Sequence, residues 1–283
     1  KSISWPKGVM ITYTGENVGK RLENKIAIVI GAGQTPGDTI GNGRAISVLF
    51  AKEGAKVVLV DKSLEAAQET EKEIKREGGD SHSVKADITN IDDCEAVTDK
   101  CMALYGRIDI LVYNVGTGDG RSSVEMPVER WDLVFDVNLK GLFYMYRFVL
   151  PIMEKQESGA LLNISSIAAI APTPMLAYRS SKAGMNALTQ SIAVHYAKKG
   201  IRANAIMPGL LDTPMAIEGL STALGIQKDK LRDARNKQVP LKGGMGTAWD
   251  VAYATLFLVS DEAKFISGAI LPVDGAQSSK VGG

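Results

Sequence analysis

Short apolar segments alternate with helical segments along almost the whole chain, and this alternation limits the folds available to it. The apolar segments are rich in Val and Ile and have no polar face, as in strands buried on both sides of a sheet. The predicted strands are residues 25–30, 56–60, 83–86, 108–113, 160–164, 202–207 and 269–273. The predicted helices are residues 43–54, 64–77, 92–105, 131–153, 178–199 and 248–259.

This order predicts an α/β protein with helices on both faces of a parallel sheet. We expect a single-domain, doubly wound Rossmann fold with a parallel sheet of about seven strands. Residues 25–275 contain no linker, charge block or internal repeat, so we expect residues 1–24 to form an N-terminal extension and residues 25–283 one catalytic domain. In such sheets ligands bind at the carboxyl ends of the strands.

The composition argues against several classes of function. The chain has 33 Lys and Arg against 32 Asp and Glu, so it lacks the overall field that recruits nucleic acid or anionic lipid. No apolar stretch is long enough for a membrane span, and residues 1–20 lack the apolar region of a signal peptide. We expect a cytoplasmic protein with small-molecule ligands and no nucleic-acid or membrane partner.

The few residues of special chemistry outside the strand ends have ordinary interpretations. Cys94 and Cys101 share a helical face without basic neighbours, so we interpret them as packing residues. His82 and His195 are isolated, and no cluster has metal-ligand spacing, so no metal site is predicted. Residues 212–238 are polar and follow a strand, which suits a lid over a substrate or an ordinary connection.

The first predicted strand runs directly into a glycine-rich loop, residues 31–43, that opens into a helix. Glycines allow backbone amides and a helix N-terminus to approach a pyrophosphate, whose charge the helix dipole favours. Ordinary turns are also rich in glycine. No Lys followed by Ser or Thr closes the run, which excludes a P-loop.

Asp61 ends the second predicted strand, where a carboxylate can accept both hydroxyls of an adenosine ribose and repel a 2′-phosphate. This position favours NAD over NADP. A solvated turn residue is the alternative, and the adjacent Lys62 leaves NADP open.

Tyr178 and Lys182 lie one turn apart at the start of a predicted helix, so their side chains can converge. To act as a base near neutrality, a tyrosine must lower its pKa by about 3 units, or about 4 kcal/mol, and a nearby ammonium stabilises the phenolate. Ser166 follows a predicted strand and could hydrogen-bond a carbonyl oxygen. Taken alone, Tyr178 and Lys182 could be an ordinary pair on a helix surface, and Ser166 could be an ordinary turn residue.

Together these residues resemble the short-chain dehydrogenase/reductase family, over about residues 25–277. Tyr178 and Lys182 match its Y-x-x-x-K motif, and residues 163–166 match its N-x-S-S strand end. Residues 113–116 resemble its N-N-A-G turn, residues 204–213 its N-x-x-x-P-G-x-x-x-T segment, and residues 265–275 its carboxyl end.

The resemblance implies a role for each matching residue. Tyr178 would be the general acid or base, Lys182 would lower its pKa and hold the nicotinamide ribose, Ser166 would orient the substrate oxygen, and Asn138 would position a proton-relay water. It also implies a homotetramer. The implied cofactor contacts are Gly31, Asn42, Gly43, Asp61, Asp87, Ile88, Asn114, Gly116, Tyr178, Lys182, Pro208, Leu211 and Thr213.

The chain departs from the family pattern at three positions. Ile30 stands where the family has Thr, and Tyr113 replaces the first asparagine of N-N-A-G. The glycine loop carries an insertion of about six residues, which we expect to form an extra lip, residues 34–38, near the adenosine. A long glycine loop also resembles the enoyl-reductase branch, but that branch spaces its Tyr and Lys more widely, so the short spacing favours carbonyl chemistry.

The sequence therefore predicts an NAD-dependent oxidoreductase that interconverts a secondary alcohol and a ketone by hydride transfer, with tyrosine as acid or base. One alternative is an NADPH-dependent 3-oxoacyl-[acyl-carrier-protein] reductase, which the segment at residues 239–251 and the carboxyl end also resemble. The other, of a different class, is a nucleotide-sensing Rossmann protein without catalysis. Its signature would be loss of a catalytic residue, and all four are present.

Overall fold

The computed structural model describes residues 20–280, so residues 1–19 of the predicted extension lie outside the described residues. The strands are β1 Ile26–Ile30, β2 Lys56–Asp61, β3 Ser81–Lys85, β4 Ile110–Tyr113, β5 Gly159–Ile164, β6 Ile201–Pro208, β7 Leu211–Asp212, β8 Gly246–Thr247 and β9 Ile270–Val273. The α-helices are α1 Asn42–Lys52, α2 Leu64–Arg76, α3 Ile91–Tyr105, α4 Val128–Phe135, α5 Gly141–Gln156, α6 Leu176–His195, α7 Leu220–Leu224, α8 Lys228–Asn236 and α9 Ala248–Val259.

Seven strands form one parallel sheet in the order β3-β2-β1-β4-β5-β6-β9. This confirms the predicted doubly wound α/β fold and its strand number. The strand order reverses direction between β1 and β4, so a crevice opens at the carboxyl ends of these two strands. β7 and β8 pair in a separate small sheet that the sequence pattern did not predict.

The core lies on both faces of this sheet, as the unbroken apolar strands predicted. In β1, Ala27 and Val29 belong to one buried cluster with residues of α1 and α9. Ile28 and Ile30 belong to a second cluster, with residues of α3 and α5. The strand is buried along its whole length because both of its faces are covered by helices.

The predicted helix at residues 131–153 is longer and has an irregular centre. α4 and α5 are joined by a π-helical turn, Asp136–Lys140, which widens the helix and contains Asn138. Such turns are local expansions of an α-helix and occur frequently at functional sites.

The segment at residues 212–238 is largely helical. After β7 it forms a π-helical turn, Met215–Gly219, followed by α7 and α8. We call residues 212–238 the lid segment below. None of the helices within residues 20–280 is long and apolar enough to cross a membrane.

The cysteines are confirmed as packing residues. Cys94 and Cys101 are fully buried on α3, and burial raises the pKa of both thiols to about 12. A thiol with such a pKa carries almost no thiolate near neutrality.

Candidate active site

Tyr178 and Lys182 lie in the first two turns of α6 and converge as predicted. The ammonium nitrogen of Lys182 lies 5.8 Å from the centre of the Tyr178 ring. Lys182 is only 2% exposed, and its ammonium donates to the Ile164 carbonyl at 2.8 Å and to the Val115 carbonyl at 3.4 Å. The ends of β4 and β5 therefore fix the position of this side chain.

Burial dominates the electrostatics of the pair. It lowers the pKa of Lys182 to about 7, because the charged form loses hydration. It raises the pKa of Tyr178 for the same reason, and the nearby Ser166 hydroxyl partly offsets that increase. The lowering of the Tyr178 pKa by Lys182 therefore stays a prediction.

Asn138 is fully buried, and its amide links three parts of the site. Its Oδ1 accepts from the Thr117 N–H at 2.8 Å, and its Nδ2 donates to the Thr117 carbonyl and to Ser181 Oγ, both at 2.9 Å. The Ser181 hydroxyl donates in turn to the Tyr178 carbonyl at 2.8 Å. Asn138 thus connects the loop after β4 with the first turn of α6.

The loop after β4 passes close to the Tyr178 side chain. A Cβ atom at Gly118 would lie 3.3 Å from Tyr178 Cδ2, so the backbone approaches the ring closely. The Arg130 guanidinium donates to Thr117 Oγ1 at 3.1 Å, to the Gly118 carbonyl at 2.8 Å and to Asp119 at 3.1 Å. Sequence reasoning missed Arg130 and Ser181. Arg130 belongs to no motif, Ser181 fills an unspecified position of Y-x-x-x-K, and both act through contacts formed only on folding.

The glycine loop forms a narrow cradle at the carboxyl end of β1. Gly31 has a φ of +78°, a backbone conformation that favours glycine, and its carbonyl accepts from Asn114 Nδ2 at 2.9 Å. A Cβ at Gly43 would lie 1.7 Å from the Gly31 oxygen, so only glycine fits there. Gly31, Gly43 and Asn114 therefore lie together, and their contact with a cofactor stays a prediction.

The cradle fits a dinucleotide. α1 begins at Asn42, and Gly41 before it supplies no side-chain cap, which leaves the helix N-terminus open toward an anion. Thr39 Oγ1 and Asn42 Oδ1 are buried without a hydrogen-bond partner among residues 20–280. Buried polar atoms usually have partners, so these two atoms indicate a place for a polar ligand.

The region expected to face the adenosine carries two carboxylates, Asp61 and Asp87. Asp61 accepts from the N–H groups of Gly33 and Ser63, both at 3.0 Å. The Lys62 ammonium lies 2.9 Å from Asp87, and it is the main reason that the pKa of Asp87 falls to about 2, with help from Thr89. Lys62 is thus engaged with Asp87.

The other predicted cofactor residues lie around the same crevice with different degrees of exposure. A Cβ at Gly116 would lie 3.2 Å from the Lys182 nitrogen, so this glycine makes room for the lysine. Ile88 is 6% exposed, and its side chain closely approaches Gly141 of α5, so it also serves the core. Pro208 ends β6, Leu211 is buried on β7, and Thr213 is buried at the start of the lid segment.

The inserted part of the glycine loop reaches the lid segment, and its expected position as a lip near the adenosine stays a prediction. Gly33, just before the insertion, donates its N–H to Asp61, and further along the Asp38 N–H donates to Glu218 at 3.1 Å. Lys228 lies 3.4 Å from both Asp38 and Glu218. Long loops take the course that their charged contacts favour, and no sequence pattern encoded these partners.

Both a family model and individual proteins of known sequence match this chain over most of its length. The family model for "Enoyl-(Acyl carrier protein) reductase" matches residues 38–276. A 3-oxoacyl-[acyl-carrier-protein] reductase from Thermotoga maritima is 37% identical over 256 residues, which cover 90% of this chain and 98% of the relative.

Solved structures with a similar fold include the two that follow. The crystal structure named as a short-chain dehydrogenase/reductase from Burkholderia xenovorans has a TM-score of 0.85 and 38% identity, covering 93% of this chain and all of that one. A 7α-hydroxysteroid dehydrogenase complexed with NADH and 7-oxo glycochenodeoxycholic acid has a TM-score of 0.80 and 33% identity, covering 90% of this chain and 94% of that one.

Proposed function

The chain belongs to the short-chain dehydrogenase/reductase family and is an oxidoreductase of alcohols and ketones, and on that premise we propose that it uses NAD to interconvert a secondary alcohol and a ketone. The observation that carries the proposal is the placement of Tyr178. Its side chain lies close to Gly118, with the Lys182 ammonium one turn away and the Ser166 hydroxyl beside it. A panel of cyclic and aliphatic secondary alcohols with NAD, followed by the absorbance of the reduced nicotinamide, tests it.

Four side chains have distinct roles in the proposed reaction. The Tyr178 oxygen takes the proton from the alcohol oxygen during oxidation and returns it during reduction. Ser166 donates a hydrogen bond to the same oxygen, and Lys182 holds the nicotinamide ribose through its ammonium. Asn138 fixes the loop and the helix on either side. When bound, NAD supplies the acceptor for the hydride that leaves the carbinol carbon.

We propose a preference for NAD over NADP from the Asp61 carboxylate in the region expected to face the adenosine ribose. Asp61→Asn retains one oxygen acceptor and a similar shape but removes the charge that faces the ribose hydroxyls and repels a 2′-phosphate. Loss of one or two charged hydrogen bonds costs about 1.5–3 kcal/mol, so we expect the ratio of kcat/KM for NAD over NADP to fall by about tenfold to a hundredfold.

The control for this prediction is Asp80→Asn, which removes a carboxylate just before β3, where it accepts a hydrogen bond from the Tyr105 hydroxyl. Asp80 lies at the amino end of β3, whereas Asp61 lies at the carboxyl end of the neighbouring β2. Asp80→Asn should leave the ratio unchanged. If Asp61→Asn kept the wild-type ratio of kcat/KM for NAD over NADP, Asp61 could not be the reason for a preference for NAD.

The direction of reaction should depend on pH through Tyr178. Burial raises its pKa, so the base form is scarce at neutral pH and oxidation should accelerate as pH rises. Reduction uses the protonated phenol, so its rate should change little until the pH approaches the raised pKa of Tyr178. Ser166→Ala removes the hydroxyl that lowers this pKa, so the rise of the oxidation rate with pH should move to higher pH. Initial rates in both directions from about pH 6 to 10 measure the shift.

Ser165→Ala is the matched control for Ser166→Ala. The Ser165 hydroxyl is buried and donates to the Lys182 carbonyl at 3.3 Å, so its loss should leave the pH range of this rise unchanged. If the oxidation rate of Ser166→Ala rose over the same pH range as that of wild type, Ser166 would not lower the pKa of Tyr178.

The second candidate is an NADPH-dependent 3-oxoacyl-[acyl-carrier-protein] reductase. It is favoured by the 37% identity with the Thermotoga maritima enzyme over 90% of the chain. Faster turnover with NADPH and an acyl-carrier substrate than with NAD and any secondary alcohol would establish it. A non-catalytic nucleotide sensor is disfavoured because Asn138, Ser166, Tyr178 and Lys182 are present and lie in one site.

Domain organisation and assembly are also proposals. We propose that residues 25–283 act as one catalytic domain and that the protein assembles as a homotetramer in the cytoplasm. The exposed aromatic residues Trp131 on α4 and Phe143 on α5, 39% and 51% exposed, support burial against another copy.

A further inference from the structure

Tyr113 stands where the family motif has asparagine, and the structure shows a contact that an apolar core residue would not make. Its side chain is fully buried at the end of β4, among residues of the α3 and α5 cluster. Its hydroxyl donates to the Val137 carbonyl at 2.5 Å. Val137 lies in the π-helical turn, directly before Asn138.

The π-helical turn explains why that carbonyl accepts from a side chain. In a regular α-helix the Gly141 N–H would bond to the Val137 carbonyl, four residues earlier. Here the Gly141 N–H bonds to the Asp136 carbonyl instead. The widened turn thus frees the Val137 oxygen for another donor, and a buried carbonyl without a partner would be costly.

Gly141 provides the space for this contact. A Cβ atom there would lie 2.6 Å from the Tyr113 oxygen, closer than a Cβ carbon approaches an oxygen in van der Waals contact. Tyr113 and Gly141 therefore fit as a pair. Burial also raises the pKa of Tyr113 well above its usual value, so the phenol keeps its proton and remains a donor throughout the working pH range.

We propose that Tyr113 is a positioning residue for the reaction, which holds the π-helical turn in the register that aims the Asn138 amide at the Thr117 backbone and at Ser181. Its effect on catalysis rests on the proposed function. Its effect on the turn does not, because Asn138 contacts Thr117 whether or not a substrate is bound.

Tyr113→Phe removes only the hydroxyl and keeps the ring in the core. Without its donor, the Val137 carbonyl should draw the turn back toward regular helix and move the Asn138 amide. We expect backbone N–H exchange with deuterium in residues 116–120 to accelerate at least tenfold. We expect kcat to fall at least tenfold, with KM for NAD and for the alcohol within twofold of wild type and a larger solvent isotope effect on kcat.

Tyr146→Phe is the matched control. Tyr146 is also buried, on α5, and its hydroxyl accepts from Asn163 Nδ2 at 2.6 Å without touching the π-helical turn. It should lower the melting temperature by a similar amount and leave both kcat and exchange in residues 116–120 unchanged.

The outcomes separate this proposal from the proposed function. Unchanged exchange in residues 116–120 of Tyr113→Phe overturns it, and so does equal acceleration in Tyr146→Phe, which would indicate general loosening of the core. Faster exchange with unaltered kcat would overturn the role in the reaction. If the wild-type protein oxidises no alcohol, the proposed function fails, and the exchange measurement still decides whether Tyr113 holds the turn.

Discussion

Replacing Tyr178 by Phe should lower kcat for alcohol oxidation by about 10²–10⁴-fold while NAD binds as in wild type. The variant loses one hydroxyl and keeps the ring that packs against the Gly118 backbone. The Ser166 hydroxyl would still bond the substrate oxygen, but no group would take its proton. Stopped-flow turnover and NAD titration by calorimetry measure the two quantities.

Tyr196→Phe is the control for this experiment. Tyr196 lies at the carboxyl end of α6, with its ring against His195, far along the helix from the site. It should retain wild-type kcat. Tyr178→Phe with more than a tenth of wild-type turnover would contradict the acid–base role and with it the reaction proposed for the site.

The sheet could be predicted from sequence because its strands are buried on both faces and so carry unbroken apolar runs. β1 illustrates this, since every residue from Ile26 to Ile30 is buried and the glycine loop follows directly. The candidate catalytic residues were identified from their match to the motifs of a known family, and their assigned roles stay predictions. Tyr178 and Lys182 needed only the helical repeat to converge.

The contacts that hold those residues could not be predicted in the same way. The π-helical turn at Asn138 depends on a hydrogen bond from Tyr113, a residue distant in sequence, and helical periodicity does not reveal one extra residue in a turn. Arg130 and Ser181 act through backbone oxygens that become neighbours only after folding. The path of the inserted loop likewise depends on Glu218, which lies in the lid segment.

Gly43 offers the sharpest test of the cofactor cradle. Adding a single methyl group, in Gly43→Ala, would place Cβ 1.7 Å from the Gly31 oxygen and 2.7 Å from Asn114 Nδ2. Both neighbours are fixed, the first by backbone and the second by its bond to Gly31, so α1 must move away from β1. We expect the free energy of unfolding to fall by about 1–3 kcal/mol or more and NAD affinity to fall at least about a hundredfold.

Gly219→Ala separates this steric effect from the general consequence of replacing glycine. Gly219 has helical dihedral angles, φ −61° and ψ −47°, and a Cβ atom there would meet no atom within 4 Å among the described residues. Alanine there should leave stability unchanged or raise it slightly, because alanine favours helix. If Gly43→Ala bound NAD as tightly as Gly219→Ala does, the pyrophosphate could not lie against the N-terminus of α1. The NAD-dependent reaction would then need another binding mode, since the close approach of Gly31 and Gly43 is what brings that helix end to the crevice.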